Sequence, residues 1–389
     1  MTYNFDQVIE RKNTNSTKYD LIPALKKAED TLPLWVADMD FAAPKEVNEA
    51  LIREAQHGIY GYSIPGERYY QVLSGWFEKQ FGYPVKKEWV VLTPGIVFAI
   101  AMAIRAYTKE GDRVLIQEPV YHPFRRVIGA NGRVCISNDL VLVDGIYHID
   151  FDKMEQQIID NKVKLFVLCS PHNPVGRVWT KEELIRVGEI CLKHGVIVVS
   201  DEIHCDFVYE GNTHTVFSSI SKEIAGNSIV CTAPSKTFNL AGLQASNIII
   251  EDSELRKEFK QQVAATGFDE LNRMALVACQ SAYEFGEEWL NELKEYLYGN
   301  ITLVHEFLKE KLPELTLISP EGTYLLWIDF RRLNKSKEEL TTLIEQKARL
   351  WLNAGHMFGE CGTGFYRVNV ACPRSVLVEA LERLYIALQ

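Results

Sequence analysis

The sequence predicts an α/β fold, with a large domain built on a mostly parallel central sheet flanked by helices and a smaller α+β domain beside it. Three observations predict it. Short β-branched and apolar runs recur through the middle of the chain, they alternate with stretches of helical periodicity, and long helical stretches take over from about Asp269.

The runs at 113–116, 133–136, 163–169, 196–200, 228–232 and 246–250 are apolar almost throughout rather than at every second position. A strand apolar on both faces belongs in a sheet covered on both sides, which is the setting of parallel strands joined by helical crossovers. Pro44 opens one helix, with Val47, Ala50, Leu51 and Ala55 on a common face and Gly58 placed to end it. A second carries Val72, Leu73, Trp76, Phe77 and Phe81 at helical spacing, and Thr180 caps a crossover helix that runs to His194. Beyond these, helices are expected at 269–285, 287–312 and 336–350, strands at 323–330 and 367–370, and a terminal helix from Arg374. The expected division is 45–285 for the large domain, with 1–44 and 286–389 forming the small one.

With 389 residues, the chain is long enough for two such bodies. Apolar residues at 47% and charged residues at 24% fit an ordinary globular protein. A formal net charge of -10 argues against nucleic acid or an anionic membrane as partner. No apolar stretch near the N-terminus resembles a signal peptide, and the longest apolar run, Ile96 to Ile104, is too short to span a bilayer. The eight cysteines include no C-x-x-C pair and fall mostly in strand-like runs, which suits buried free thiols and a cytoplasmic location.

In an open parallel sheet, ligands bind beyond the carboxyl ends of the strands. Four polar loops follow such ends here: Thr93-Pro-Gly95, Ser170-Pro-His-Asn-Pro-Val-Gly176, Ser200-Asp-Glu-Ile-His204 and Ala233-Pro-Ser-Lys236-Thr-Phe-Asn. A lysine amine, a carboxylate buried at a strand end, an amide donor and a helix N-terminus are the groups that pyridoxal 5′-phosphate (PLP) requires of a protein. Lys236 would attach the cofactor. Asp201, costly at the end of an apolar run unless paired, would face the pyridinium nitrogen. Asn173, held between Pro171 and Pro174, could donate to the phenolate oxygen. The backbone at Gly95, Ile96 and Val97 could cradle the phosphate, and Tyr121 could stack on the ring. Singly, each has an ordinary alternative: a surface lysine, a turn-capping aspartate, a proline turn, a helix start, a packed aromatic. Their convergence on one sheet edge favours the cofactor.

Taken jointly, N-P-x-G at Asn173, D-E-I-H at Asp201 and S-K-T-F-N-L-A-G at Lys236 resemble the fold-type I PLP enzymes, the aspartate aminotransferase superfamily. Trp35-Val-Ala-Asp-Met-Asp-Phe41, Tyr60-Gly-Tyr62 and the stretch from Phe365 to Arg374 are similar to the MalY/PatB branch of cystathionine β-lyases and related carbon–sulfur lyases. The resemblance implies that Lys236 acts as the base at Cα and that Arg367 grips the substrate carboxylate, aided by the backbone near Ala37. It also implies that Ser235 touches the phosphate, that His204 stands where many relatives place a tyrosine, and that Tyr62 reaches the neighbouring subunit's phosphate in a homodimer. Gln244 and Ala233 occupy positions where many aminotransferases have an arginine and a serine.

The implied activity is β-elimination from a sulfur amino acid, giving pyruvate, ammonia and a thiol such as homocysteine. Transamination uses the same residues and differs only in where the proton returns, so branch-level likeness alone favours the lyase. A regulatory protein that keeps PLP as a structural ligand is a third class, discriminated by whether a Lys236→Ala variant retains its role. A metal site at Asp201, Glu202, His204, Cys205 and Asp206 is not expected, because alternating strand residues face opposite sides. Gly359, Gly362 and Gly364 precede a strand rather than follow one, which argues against a dinucleotide loop.

Overall fold

The computed structural model describes residues 2–25 and 27–389. Its main sheet has seven strands: β1 (Val90–Thr93), β2 (Arg113–Ile116), β3 (Val134–Ser137), β4 (Leu165–Cys169), β5 (Ile197–Asp201), β6 (Ser228–Thr232) and β7 (Ser246–Ile249). Their spatial order is β1-β7-β6-β5-β4-β2-β3. Strands β3, β2, β4, β5 and β6 pair in parallel, as their two-sided apolar character predicts. Strand β7 departs from this. It runs antiparallel to both β6 and β1, which puts its first residue, Ser246, opposite Thr93 at the edge where the other strands end.

Helices cover both faces, and the buried side chains divide into two clusters accordingly. Helix Ile96–Tyr107 buries Ile96, Ala99, Ile100, Met102, Ala103 and Ile104, so its long apolar run is core and not membrane. Helix Lys181–His194 has the reciprocal capping box of Thr180 and Glu183 and ends at Gly195 with φ 63°, a left-handed position where glycine carries no steric penalty. Helix Lys45–His57 ends the same way at Gly58, with φ 74°.

The C-terminal part builds a four-stranded antiparallel sheet from β8 (Thr316–Ile318), β9 (Leu325–Asp329), β10 (Asn353–Ala354) and β11 (Phe365–Asn369), in the order β8-β9-β11-β10. The N-terminal pair Leu32–Pro33 lies parallel to Leu350–Trp351, so the two chain ends are stitched together.

Two expected helices have different bounds. The one expected from Asp269 begins at Arg273, because the Asn272 side chain accepts a hydrogen bond from the Ala275 backbone N–H and caps it there. The one expected over 336–350 is helical only to Lys347, with its second half wound as a π-helix. Arg349 takes a left-handed φ of 55°, and Leu350 leaves to pair with Leu32. Helical periodicity could not reveal that tertiary partner.

Among the described residues no helix is long and apolar enough to cross a membrane, and no group of His, Cys, Asp and Glu could hold a metal ion. All eight cysteines are free; six are buried, Cys135 is partly so and Cys361 is exposed.

Candidate active site

A cavity opens at the carboxyl edge of the main sheet. Its wall includes Gly95, Ile96 and Val97 from the start of the helix after β1, Tyr121 from the loop after β2, and Asn173 from the loop after β4. Asp201 and His204 enter from the end of β5, Ser235 and Lys236 from the turn after β6, and Ala37 from the N-terminal segment. Ten of the residues singled out from the sequence therefore meet at one place.

Arg367 and Tyr62 are not in that wall. Arg367, on β11, is buried directly behind it. Its Nη1 donates to Asn173 Oδ1 at 2.9 Å, and its Nη2 donates to Asn353 Oδ1 at 2.6 Å and to the Trp35 carbonyl at 2.7 Å. Its Nε is buried without a partner among the described residues. Burial lowers the guanidinium pKa to about 10, against the opposing pull of Tyr121 and Tyr324, so it remains charged at neutral pH. Tyr62 is 100% exposed and lies in a separate surface depression with Ser63 and Glu270.

Register explains the state of Asp201. It lies between Cys169 on β4 and Cys231 on β6, and among the described residues its Oδ1 accepts only the Ile203 N–H, at 3.2 Å. A carboxylate that is 4% exposed and flanked by two thiols is poorly solvated. Burial raises its pKa to about 7, while the Ile203 N–H and Lys236 pull the other way. The site thus presents a desolvated carboxyl that calls for a cationic N–H.

Lys236 sits in a short helical turn, Pro234–Thr237, whose next residue anchors it: Thr237 Oγ1 donates to buried Asp206 at 2.6 Å. The lysine Nζ donates to the Ala37 carbonyl at 2.8 Å. Burial lowers its pKa to about 8, and Arg367 lowers it further, against the pull of Asp38 and Asp201. His204 is held neutral, its pKa pushed well below the usual value by burial and by nearby Lys236 and Arg367, and its Nδ1 has no partner among the described residues.

Several further groups at the site belong to no local motif. Ser246 lines the cavity with a buried hydroxyl that has no partner among the described residues. Its only signal was its place at the start of a strand, and the antiparallel direction that brings it to this edge is tertiary. Tyr324 donates its hydroxyl to the Ala37 carbonyl at 3.0 Å from 287 residues away. Arg11 bridges Asp38 and Asp40 at 2.6 Å each, and fully buried Lys18 meets Asp40 at 2.7 Å.

These donors suit a phosphorylated pyridine aldehyde on four counts. There is an amine for the aldehyde and a desolvated carboxyl for the ring nitrogen. An amide whose Oδ1 is already committed to Arg367 has its Nδ2 left to donate, and a helix start with an unpaired serine hydroxyl suits a phosphate.

A family model described as aminotransferase class I and II matches residues 29–384. The chain belongs to that family. Cystathionine beta-lyase PatB of Bacillus subtilis is 43% identical over 385 residues, covering 99% of this chain and 100% of that protein. Protein MalY of Escherichia coli is 32% identical, covering 100% and 99%. Among solved structures, cystalysin of Treponema denticola, which contains a pyridoxal 5′-phosphate cofactor, superposes with a TM-score of 0.97 at 39% identity, covering 100% of this chain and 99% of the other. The expected fold and its place in the MalY/PatB branch are thereby borne out.

Proposed function

We propose that this chain is a PLP-dependent carbon–sulfur lyase of the cystathionine β-lyase type, which eliminates the thiol from a sulfur-containing amino acid to leave pyruvate and ammonia. The observation that carries this is the convergence of the Lys236 amine, the desolvated Asp201 carboxyl and the Asn173 amide on one cavity, with Arg367 bonded to Asn173 from behind, in a chain 43% identical to a cystathionine β-lyase.

Bound in this cavity, PLP supplies a protonated ring that takes up the electron pair left when the α-proton departs. Lys236 attaches it and, once displaced by substrate, accepts the α-proton. Asp201 would keep the ring nitrogen protonated, and Asn173 would donate Nδ2 to the phenolate oxygen, near neutral His204. Tyr121 would supply an aromatic face to the ring. The backbone N–H groups at Gly95, Ile96 and Val97, with Ser235 and the Ser246 hydroxyl, would hold the phosphate. Arg367 and the backbone at Ala37 orient the substrate carboxylate, and the unpartnered Arg367 Nε supports this role. As the Cβ–S bond breaks, the Lys236 ammonium can return its proton to the departing sulfur, and water hydrolyses the remaining unsaturated amine to pyruvate and ammonia.

The reading extends to assembly and organisation. Fully exposed Tyr62 and its exposed neighbours Ile59, Tyr60 and Ile64 fit a homodimer in which Tyr62 completes the partner's phosphate site. Residues 45–285 would form the large domain, with 1–44 and 286–389 the small one, a division supported by the pairing of Leu32–Pro33 with Leu350–Trp351. The free thiols favour the cytoplasm.

L-cystathionine supplied to the holoenzyme should yield pyruvate, ammonia and homocysteine in equal amounts. Glutamate formed from an amino donor and 2-oxoglutarate, with no pyruvate from cystathionine, would make it a transaminase instead. Borohydride reduction followed by peptide mapping should place the cofactor on Lys236.

A further inference from the structure

The backbone from Trp35 to Phe41 is held by side chains from β11 and from the stretch just after Lys236. From β11, Arg367 Nη2 donates to the Trp35 carbonyl at 2.7 Å, and Asn369 Nδ2 donates to Val36 at 2.5 Å and to Asp38 at 2.6 Å. From the second, Asn239 Nδ2 donates to Met39 at 3.0 Å and to Phe41 at 2.9 Å. Asn239 Oδ1 also accepts the Met39 N–H at 3.0 Å, so one amide side chain reads Met39 as a neighbouring strand would. Between these clamps stands the Ala37 carbonyl, which accepts Lys236 Nζ at 2.8 Å.

Asn369 is itself fixed. Its Oδ1 accepts the Ala371 N–H at 2.8 Å, and its backbone N–H donates to Leu34 at 2.9 Å. Asn239 follows Lys236 by three residues and has a left-handed φ of 58°. The turn that carries the lysine and the segment that carries its acceptor are thus tied by the same side chain.

We propose that Asn239 and Asn369 are positioning residues that hold the Ala37 carbonyl as the resting acceptor for the Lys236 amine whenever that amine is free. This rests on the role of Lys236 proposed above. The free amine is the state in which the lysine must take a proton from Cα and later give one up. A fixed carbonyl favours the ammonium form, because it accepts a hydrogen bond from the charged group and has no proton to offer in return. Turning the carbonyl away therefore lowers the lysine's proton affinity and leaves the amine without a fixed direction. Neither asparagine is in the cavity wall, so each acts through Ala37 and not on the substrate.

The test is competitive amine labelling of the full-length chain, freed of cofactor, with acetic anhydride across a pH series. The Lys236 peptide is quantified by mass spectrometry, and circular dichroism monitors the fold. Asn369→Ala and Asn239→Gly should shift the Lys236 labelling midpoint down by about half a pH unit, or about threefold in rate near neutral pH. Glycine is chosen at Asn239 because it tolerates the left-handed backbone there, so that variant stays testable even if Asn369→Ala does not fold. Asn227→Ala is the control. Asn227 Nδ2 donates to the Val196 carbonyl at 2.7 Å, at the ends of β5 and β6 opposite to the one that Lys236 follows, and its loss should leave the midpoint in place. A profile unchanged in Asn239→Gly, or shifted equally in Asn227→Ala, overturns the proposal. Labelling needs neither cofactor nor turnover, so failure of the elimination assay leaves its outcome separately readable.

Discussion

Asn173 Oδ1 accepts a 2.9 Å hydrogen bond from Arg367 Nη1, across 194 residues of chain and between the two sheets. The bond settles two things at once. It aims the Asn173 amide so that its N–H₂ is the free end, and it fixes the guanidinium behind the cavity wall.

Asn173→Asp should therefore be worse than the loss of one donor. The new carboxylate would pair with Arg367 directly and repel the substrate's own carboxylate. KM should rise more than about tenfold, equivalent to about 1.4 kcal/mol, whereas Asn173→Ala should mainly lower kcat. Steady-state kinetics on both variants separate the outcomes, and an unaltered KM in Asn173→Asp would show that Arg367 does not bind substrate through this face.

The depressed pKa of Lys236, about 8, puts a pH limb on the reaction. The neutral amine is the base, and its population grows as pH rises through that value, so kcat should increase from pH 7 and level off above about 9. Lys236→Ala should cost about 10²–10⁴-fold, and exogenous methylamine should restore part of it. A flat profile for the elimination between pH 7 and 9 would contradict the assignment of the base.

Asp201 makes a prediction about stability in the cofactor-free chain. Its folded pKa of about 7 lies above the ordinary carboxyl value, so the folded state holds its proton more tightly than the unfolded state does. The stabilisation this provides is present in full below the ordinary value and is lost as pH rises through about 7. Asp201→Asn should remove that pH dependence and raise Tm at pH 8, while lowering kcat of the loaded enzyme by about 10²–10³-fold. Thermal unfolding at pH 5 and pH 8 checks the first part. A Tm lower than wild type at pH 8 would mean that a buried charge is not the cost at this position.

Tyr62 offers a complementation test. If it completes the partner's site, Tyr62→Ala and Lys236→Ala dimers are each impaired, but a mixed dimer has one site with neither change. Unfolding and refolding an equal mixture should recover about a quarter of wild-type activity, the statistical share for a two-fold symmetric dimer. Activity no higher than the mean of the two parents would remove Tyr62 from the site.

What could be read from the sequence was whatever the chain writes locally. Lys236, Asp201 and Asn173 each follow an apolar run within a few residues, and a parallel sheet brings strand ends to one edge, so their meeting could be expected without coordinates. The capping box at Thr180 and the glycine stops at Gly58 and Gly195 were legible for the same reason, since each depends on neighbours within one turn. The tertiary structure alone decided the direction of β7, the escape of Leu350 from its helix, and the orphaned Ser246 hydroxyl. It also decided the partners that fix Ala37. Asn369, Asn239 and Tyr324 act on carbonyls about 200 to 330 residues distant in sequence, and a backbone carbonyl carries no residue-specific mark that could announce its donor. The sequence determined which chemical groups are present and at which sheet edge; folding determined the hydrogen bonds that aim them, because those depend on distances between segments that only packing brings together.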